Sequence, residues 1–127
     1  MEPRGYLDTH CIIWLYEDDQ ERFSPLAKDL IDRYDLFFSP MVRLELKYLF
    51  ELKRIHFSPA TILSDLKLEI DLTECNHTFE QVIQSALGLS WTRDPFDRII
   101  VAQAAIGGNI LLTKDRVILD NYKHAVW

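Results

Sequence analysis

The chain is poor in what many site chemistries require. Its only two cysteines, Cys11 and Cys75, stand far apart and show no CxxC or Cys/His zinc spacing. A structural zinc centre is therefore not expected. Both cysteines read as reduced thiols, which makes a cytoplasmic location the default. The four histidines, His10, His56, His77 and His124, show neither HxxxH nor HExxH spacing and read as structural or surface residues. There is no GxGxxG fingerprint, no GxxxxGK[ST] loop and no GxSxG elbow, so neither a phosphate-cradling glycine loop nor a serine nucleophile is offered. No apolar run approaches the roughly 18 residues of a membrane span. No basic leader with an apolar stretch opens the sequence, and no signal peptide is expected. Basic residues are outnumbered, 14 against 20 acids, for a net charge of −6. Phosphate contacts need Lys and Arg, so this balance does not by itself mark a nucleic-acid binder.

What is present is a foldable globular chain. At 127 residues and 48% hydrophobic, it can bury a real core, and one domain over 1–127 is expected. "GYL" before Asp8 reads as a first strand and "HCIIWLY" follows as a helix. Ser24-Pro25, Ser39-Pro40 and Ser58-Pro59 each supply an N-cap followed by proline at the first helical position. "DLFF" reads as a second strand. "LEIDL" alternates like a strand edge. Thr78 and Gln81 match a capping box, and Gly88 fits the end of that helix. Asp94-Pro95 starts another helix, which Gly107-Gly108 ends. "NILLT" is a strand, "DRVILDNY" a short helix and "AVW" a possible last strand. Strands alternating with helices predict an α/β fold around a mainly parallel sheet flanked by helices.

Four acids sit where carboxylates are unexpected. Asp8 directly follows the first strand, and ligands of open parallel sheets bind beyond strand carboxyl ends. It is equally an N-cap for the next helix. Glu45 shares a helical row with Val42, Leu49 and Leu52, so it faces either the core or a cleft, unless it snorkels at an edge. Asp97 opens the apolar stripe that continues through Val101 and Ala104. Asp94 and Asp97 imitate a capping box, but Asp94 alone suffices, which leaves Asp97 facing inward. Asp115 ends "NILLTKD", again just past a strand and again a plausible cap.

Unpaired buried carboxylates cost several kcal/mol or take up protons. Four converging acids would repel one another unless a hard cation joined them. An all-oxygen set favours Mg²⁺ or Mn²⁺ over zinc. Such a cluster suits phosphodiester hydrolysis, in which metal activates a water and no side-chain nucleophile is needed. Arg93 and Arg98 flank Asp97, Lys114 and Arg116 flank Asp115, and Arg43 and Lys47 flank Glu45. These bases are either an RNA-facing rim or ordinary solvated charge, and Arg98 is also a candidate partner for one of the acids.

"YLDTH", a mid-chain helical Glu45, "RDPFDRIIVAQA" and "LLTKD" together resemble a PIN domain, and within it the VapC-type toxins of toxin–antitoxin systems. The likeness runs over essentially the whole chain. It implies a Mg²⁺- or Mn²⁺-dependent endoribonuclease with its four acids at Asp8, Glu45, Asp97 and Asp115. It further implies supporting hydroxyls at Thr9 and Thr113, a supporting Asp94, a homodimer and a VapB-type antitoxin partner. The sequence departs from several PIN domains in carrying "RVIL" where a further acidic or polar ligand follows the fourth acid, which leaves open whether a second metal is held. A PIN fold serving only to bind RNA or protein is the main rival. A receiver-like signalling domain is disfavoured, because Asp8 has no adjacent acidic partner and the second strand carries "FFSP" rather than a phospho-accepting Asp at its end.

Overall fold

The computed structural model describes residues 3–127. Five strands form one sheet: β1 (Arg4–Leu7), β2 (Asp35–Phe38), β3 (Thr73–Glu74), β4 (Ile110–Leu112) and β5 (Ala125–Val126). Their order is β3-β2-β1-β4-β5, and every pairing is parallel. Seven helices connect them: α1 (Thr9–Tyr16), α2 (Pro25–Arg33), α3 (Pro40–Glu51), α4 (Pro59–Ile70), α5 (Phe79–Ala86), α6 (Pro95–Ala105) and α7 (Arg116–Asn121). Among the described residues no helix is long and apolar enough to cross a membrane.

The helices begin where local chemistry says they should. Ser24, Ser39 and Ser58 accept from the amides of Ala27, Met41 and Thr61, and a proline follows each cap. Thr78 and Gln81 close a reciprocal capping box. These side chains satisfy amides that the first helical turn leaves without partners.

Helix ends follow less closely. The alternation in "LEIDL" does not make a strand. Ile62 and Leu66 bury one face of α4, and the helix runs on through Ile70. Asp71 then breaks it with φ 53°, and the short strand starts only at Thr73. Gly88 follows the cap of α5 but is not among the residues with positive φ, whereas Gly107 and Gly108 adopt φ of 83° and 67° and turn the chain out of α6. That left-handed pair is where glycine is required, since a side chain there costs about 1–2 kcal/mol.

Tyr6, Leu7, Leu36, Phe38, Leu111 and Leu112 are buried in the core that covers the sheet. Strands buried on both faces read as continuous apolar runs, as β1 and β4 do. Both cysteines are buried free thiols. Cys75 lies between the Tyr6 hydroxyl at 2.8 Å and His77 Nδ1 at 3.0 Å.

The topology positions the site. From β1 the chain moves outward to β2 and β3, then returns to place β4 on the opposite side of β1. The crevice where strand order reverses therefore lies between the carboxyl ends of β1 and β4. Leu7 pairs with Leu112, and the Asp8 amide donates to the Leu112 carbonyl at 3.1 Å. The residues leaving these strands, Asp8 and Thr113, are thereby neighbours despite 105 positions of sequence between them.

Candidate active site

Five carboxylates, Asp8, Glu45, Asp94, Asp97 and Asp115, line one cavity of about 570 Å³ at this crevice. All four acids expected from the sequence are brought to it, together with Asp94. Asp8 leaves β1, Glu45 projects from α3, Asp94 caps α6 with Asp97 in its first turn, and Asp115 caps α7.

Two threonines organise the acids. Thr113, fully buried at the end of β4, donates its hydroxyl to Asp8 Oδ2 at 2.6 Å and accepts the Asp115 amide at 3.1 Å. Thr9 donates its hydroxyl to Glu45 Oε1 and its amide to Asp8 Oδ1. Capping and site-lining are not exclusive here. Asp94 and Asp115 each use Oδ1 to accept two amides, and among the described residues the second oxygen accepts no hydrogen bond. Asp97 makes no side-chain hydrogen bond at all among the described residues, so Asp94 does perform the capping of α6 alone.

The electrostatics match this crowding. Burial pushes the Asp8 carboxyl above its ordinary value, against the pull of the Thr113 hydroxyl and the Thr9 amide. Glu45 is raised by burial too, with the Thr9 hydroxyl opposing and the Asp8 and Asp94 charges adding. Asp97 is raised to about 7, by burial first and then by the charges of Asp8, Asp94, Asp115 and Glu45. Among the described residues the ion pairs lie elsewhere, on Asp19, Asp29, Glu74, Asp71 and Asp120. Among the described residues none of the cavity carboxylates forms an ion pair.

The donors are hard oxygens supplied by several elements, the chemistry that Mg²⁺ or Mn²⁺ selects. Among the described residues, no three His, Cys, Asp or Glu side chains are drawn closely enough together to form a finished ion-binding group. The acids ring the cavity rather than meeting at one point.

The flanking bases are placed less uniformly. Lys114 lines the cavity. Arg93 and Arg98 are not among its lining residues. The Arg98 guanidinium instead donates to the carbonyls of Ala86, Leu87 and Thr92, securing the end of α5. It pairs with none of the acids. Arg116 makes a loose, exposed pair with Asp120 at 3.7 Å. Arg43 pairs with Glu74, and Lys47 lies over Phe50, both away from the acids.

Four cavity residues escape the sequence reading: His10, Cys11, Trp14 and Arg22. His10, expected to be structural or surface, stands two residues from Asp8 and four from Trp14. The i, i+4 spacing on one helix face was the available signal for that pair. Arg22 arrives through the short 3₁₀ turn at Gln20–Arg22, which leaves no periodic mark.

The arrangement is that of a parallel α/β protein with an acidic cleft at its topological switch point. The chain belongs to the PIN domain family, whose profile matches residues 5–124. Two solved structures share the fold. The complex of VapBC2 from Rickettsia felis bound to a DNA fragment from their promoter matches with a TM-score of 0.66 and 13% identity, over 97% of this chain and 96% of that one. DNA-bound VapBC from Salmonella typhimurium matches with a TM-score of 0.58 and 18% identity, over 97% and 95%. No curated protein matches the sequence.

Proposed function

We propose that this chain is a metal-dependent endoribonuclease, the VapC-type toxin of a toxin–antitoxin pair, with residues 1–127 forming its nuclease domain. The observation that carries the reading is the cavity itself: five carboxylates from distant parts of the chain line it, with Asp8, Glu45 and the Asp115 amide tied to two buried threonines. Family membership and the fold shared with two VapBC complexes support the toxin assignment. Asp8, Glu45, Asp97 and Asp115 are the residues that would hold Mg²⁺ or Mn²⁺. When bound, the ion supplies an activated water and offsets charge on the phosphate. The chain's own contribution is placement. Thr113 fixes Asp8 against Asp115, Thr9 fixes Glu45, and Asp94 anchors the turn that presents Asp97. A VapB-type antitoxin, a homodimer and a cytoplasmic setting belong to the same reading, the last in keeping with two unpaired thiols.

The test is cleavage by purified protein freed of any antitoxin. RNA is expected to be cut in Mg²⁺ or Mn²⁺ and left intact in excess EDTA. Equal cleavage with the chelator would rule out the metal mechanism. Binding of RNA with no cleavage under any of these conditions would favour a PIN fold that serves only as a binding module.

A further inference from the structure

The cavity has a second wall, chemically unlike the first. Trp14 is half-buried on α1, with ring centroids at 6.4 Å from Phe23 and 5.8 Å from Trp127. The Arg22 guanidinium lies over the Trp14 ring at 5.1 Å and the Lys114 ammonium at 6.0 Å. All three line the same cavity as the carboxylates. Two cations thus share a cavity with five acids, yet among the described residues no ion pair joins the two sets. Arg22 pairs with Asp19, which does not line the cavity, and Lys114 pairs with no carboxylate. The cations that could neutralise the acids are held on an aromatic ring instead.

We infer that Trp14, Arg22 and Lys114 form a subsite for an unpaired nucleotide beside the cleaved bond. The inference rests on the ribonuclease reading, which puts the scissile phosphate at the carboxylates. An aromatic ring stacks on any base, but a base within a duplex already has both faces covered by its neighbours. A Trp platform therefore selects single-stranded segments. Arg22 and Lys114 are exposed side chains, Arg22 in an exposed pair with Asp19, and each can move from the ring onto a phosphate as a base takes its place. Packing against Phe23 and Trp127 holds the platform in position before substrate arrives, so little ordering is needed on binding.

The experiment uses the Asp97→Asn protein, so that binding is read without cutting. Fluorescence anisotropy is measured with a labelled single-stranded oligoribonucleotide and with the same strand in a duplex. The single strand is expected to bind about 10-fold more tightly than the duplex, and adding Trp14→Leu to remove about 10-fold of its affinity while leaving the duplex little changed. Arg22→Gln and Lys114→Gln are each expected to weaken binding of any sequence and to reduce the salt slope by about one. Single-strand affinity unaltered by Trp14→Leu, or a duplex bound as tightly as the single strand, would overturn the subsite. Should Trp14→Leu fail to fold, exposed Arg22→Gln decides the matter through its salt slope, an unchanged slope counting against the subsite. Failure of the nuclease reading is separable: wild-type protein that never cuts RNA, alongside binding that still depends on Trp14, removes the nuclease and keeps the subsite.

Discussion

Asp97→Asn is expected to reduce RNA cleavage by about 10³-fold or more while making the metal-free protein more stable at neutral pH. The two effects share one cause. In the metal-free fold Asp97 is raised from 3.8 to about 7, by burial first and then by four neighbouring carboxylates. An acid whose folded pKa lies above its unfolded value holds its proton longer in the native state. Stability is therefore lost as pH rises from about 4 to about 7, and the penalty is complete above that window. Asparagine removes the charge and with it a penalty of roughly 1–2 kcal/mol, after allowance for solvent screening at a half-buried group. Thermal melts are expected to show the variant several degrees above wild type at mildly alkaline pH, with the two converging near pH 4. A variant less stable than wild type at alkaline pH would mean that Asp97 serves the fold rather than the site.

Thr113→Val is expected to lower both stability and turnover. Valine keeps the shape but loses an oxygen with two duties, donating to Asp8 at 2.6 Å and accepting the Asp115 amide at 3.1 Å. Thr113 is itself fully buried, and loss of a hydrogen bond to a charged group costs about 2 kcal/mol. Without the hydroxyl that pulls it down, the Asp8 carboxyl rises further, and divalent-ion binding shifts to higher pH. Turnover is expected to fall about 10- to 100-fold, the usual effect of removing a partner that orients a ligand-bearing side chain. Thr113→Ser restores the hydroxyl and is expected to recover most of both losses. Denaturant unfolding and the pH dependence of cleavage check these outcomes, and a fully active valine variant would show that Thr113 does not position the acids.

Much of this architecture was legible because helix starts are local events. A serine or aspartate before proline needs only its own next three amides, and Ser24, Ser39, Ser58 and Asp94 all cap as their sequences suggest. Ends depend on what lies opposite. The run through Leu68 and Ile70 alternates like a strand, but the buried face of Ile62 and Leu66 continues α4 past it. The face of α3 shows the same limit. Val42, Leu46 and Leu49 are buried while Leu52 is 46% exposed, so Glu45 sits at the border of the apolar stripe rather than along its centre. That border is what faces the cavity. Asp97 and Glu45 stood out because each sits on an apolar helical row, and Asp8 and Asp115 because each stands just past a strand, although both also cap helices. Of the cationic wall, Lys114 beside Asp115 was legible but Arg22 was not, and the other flanking bases misled because adjacency along a helix is not adjacency in space. Arg98 follows Asp97 directly, yet neighbouring helical positions point about 100° apart, and it binds carbonyls at the end of α5. Arg22, by contrast, reaches the cavity from 75 residues before Asp97 only because the chain turns back after α1.

The most direct measurement is calorimetric titration of Mn²⁺ into the metal-free protein and its Asp97→Asn variant at neutral pH. Wild type is expected to bind the ion and release protons as it does so, since Asp97 is partly protonated there. The variant is expected to bind at least about 10-fold more weakly, with less proton release. Wild-type protein that takes up no Mn²⁺ at millimolar concentration, or a variant that binds it as tightly as wild type, would contradict a divalent-ion site built from these carboxylates.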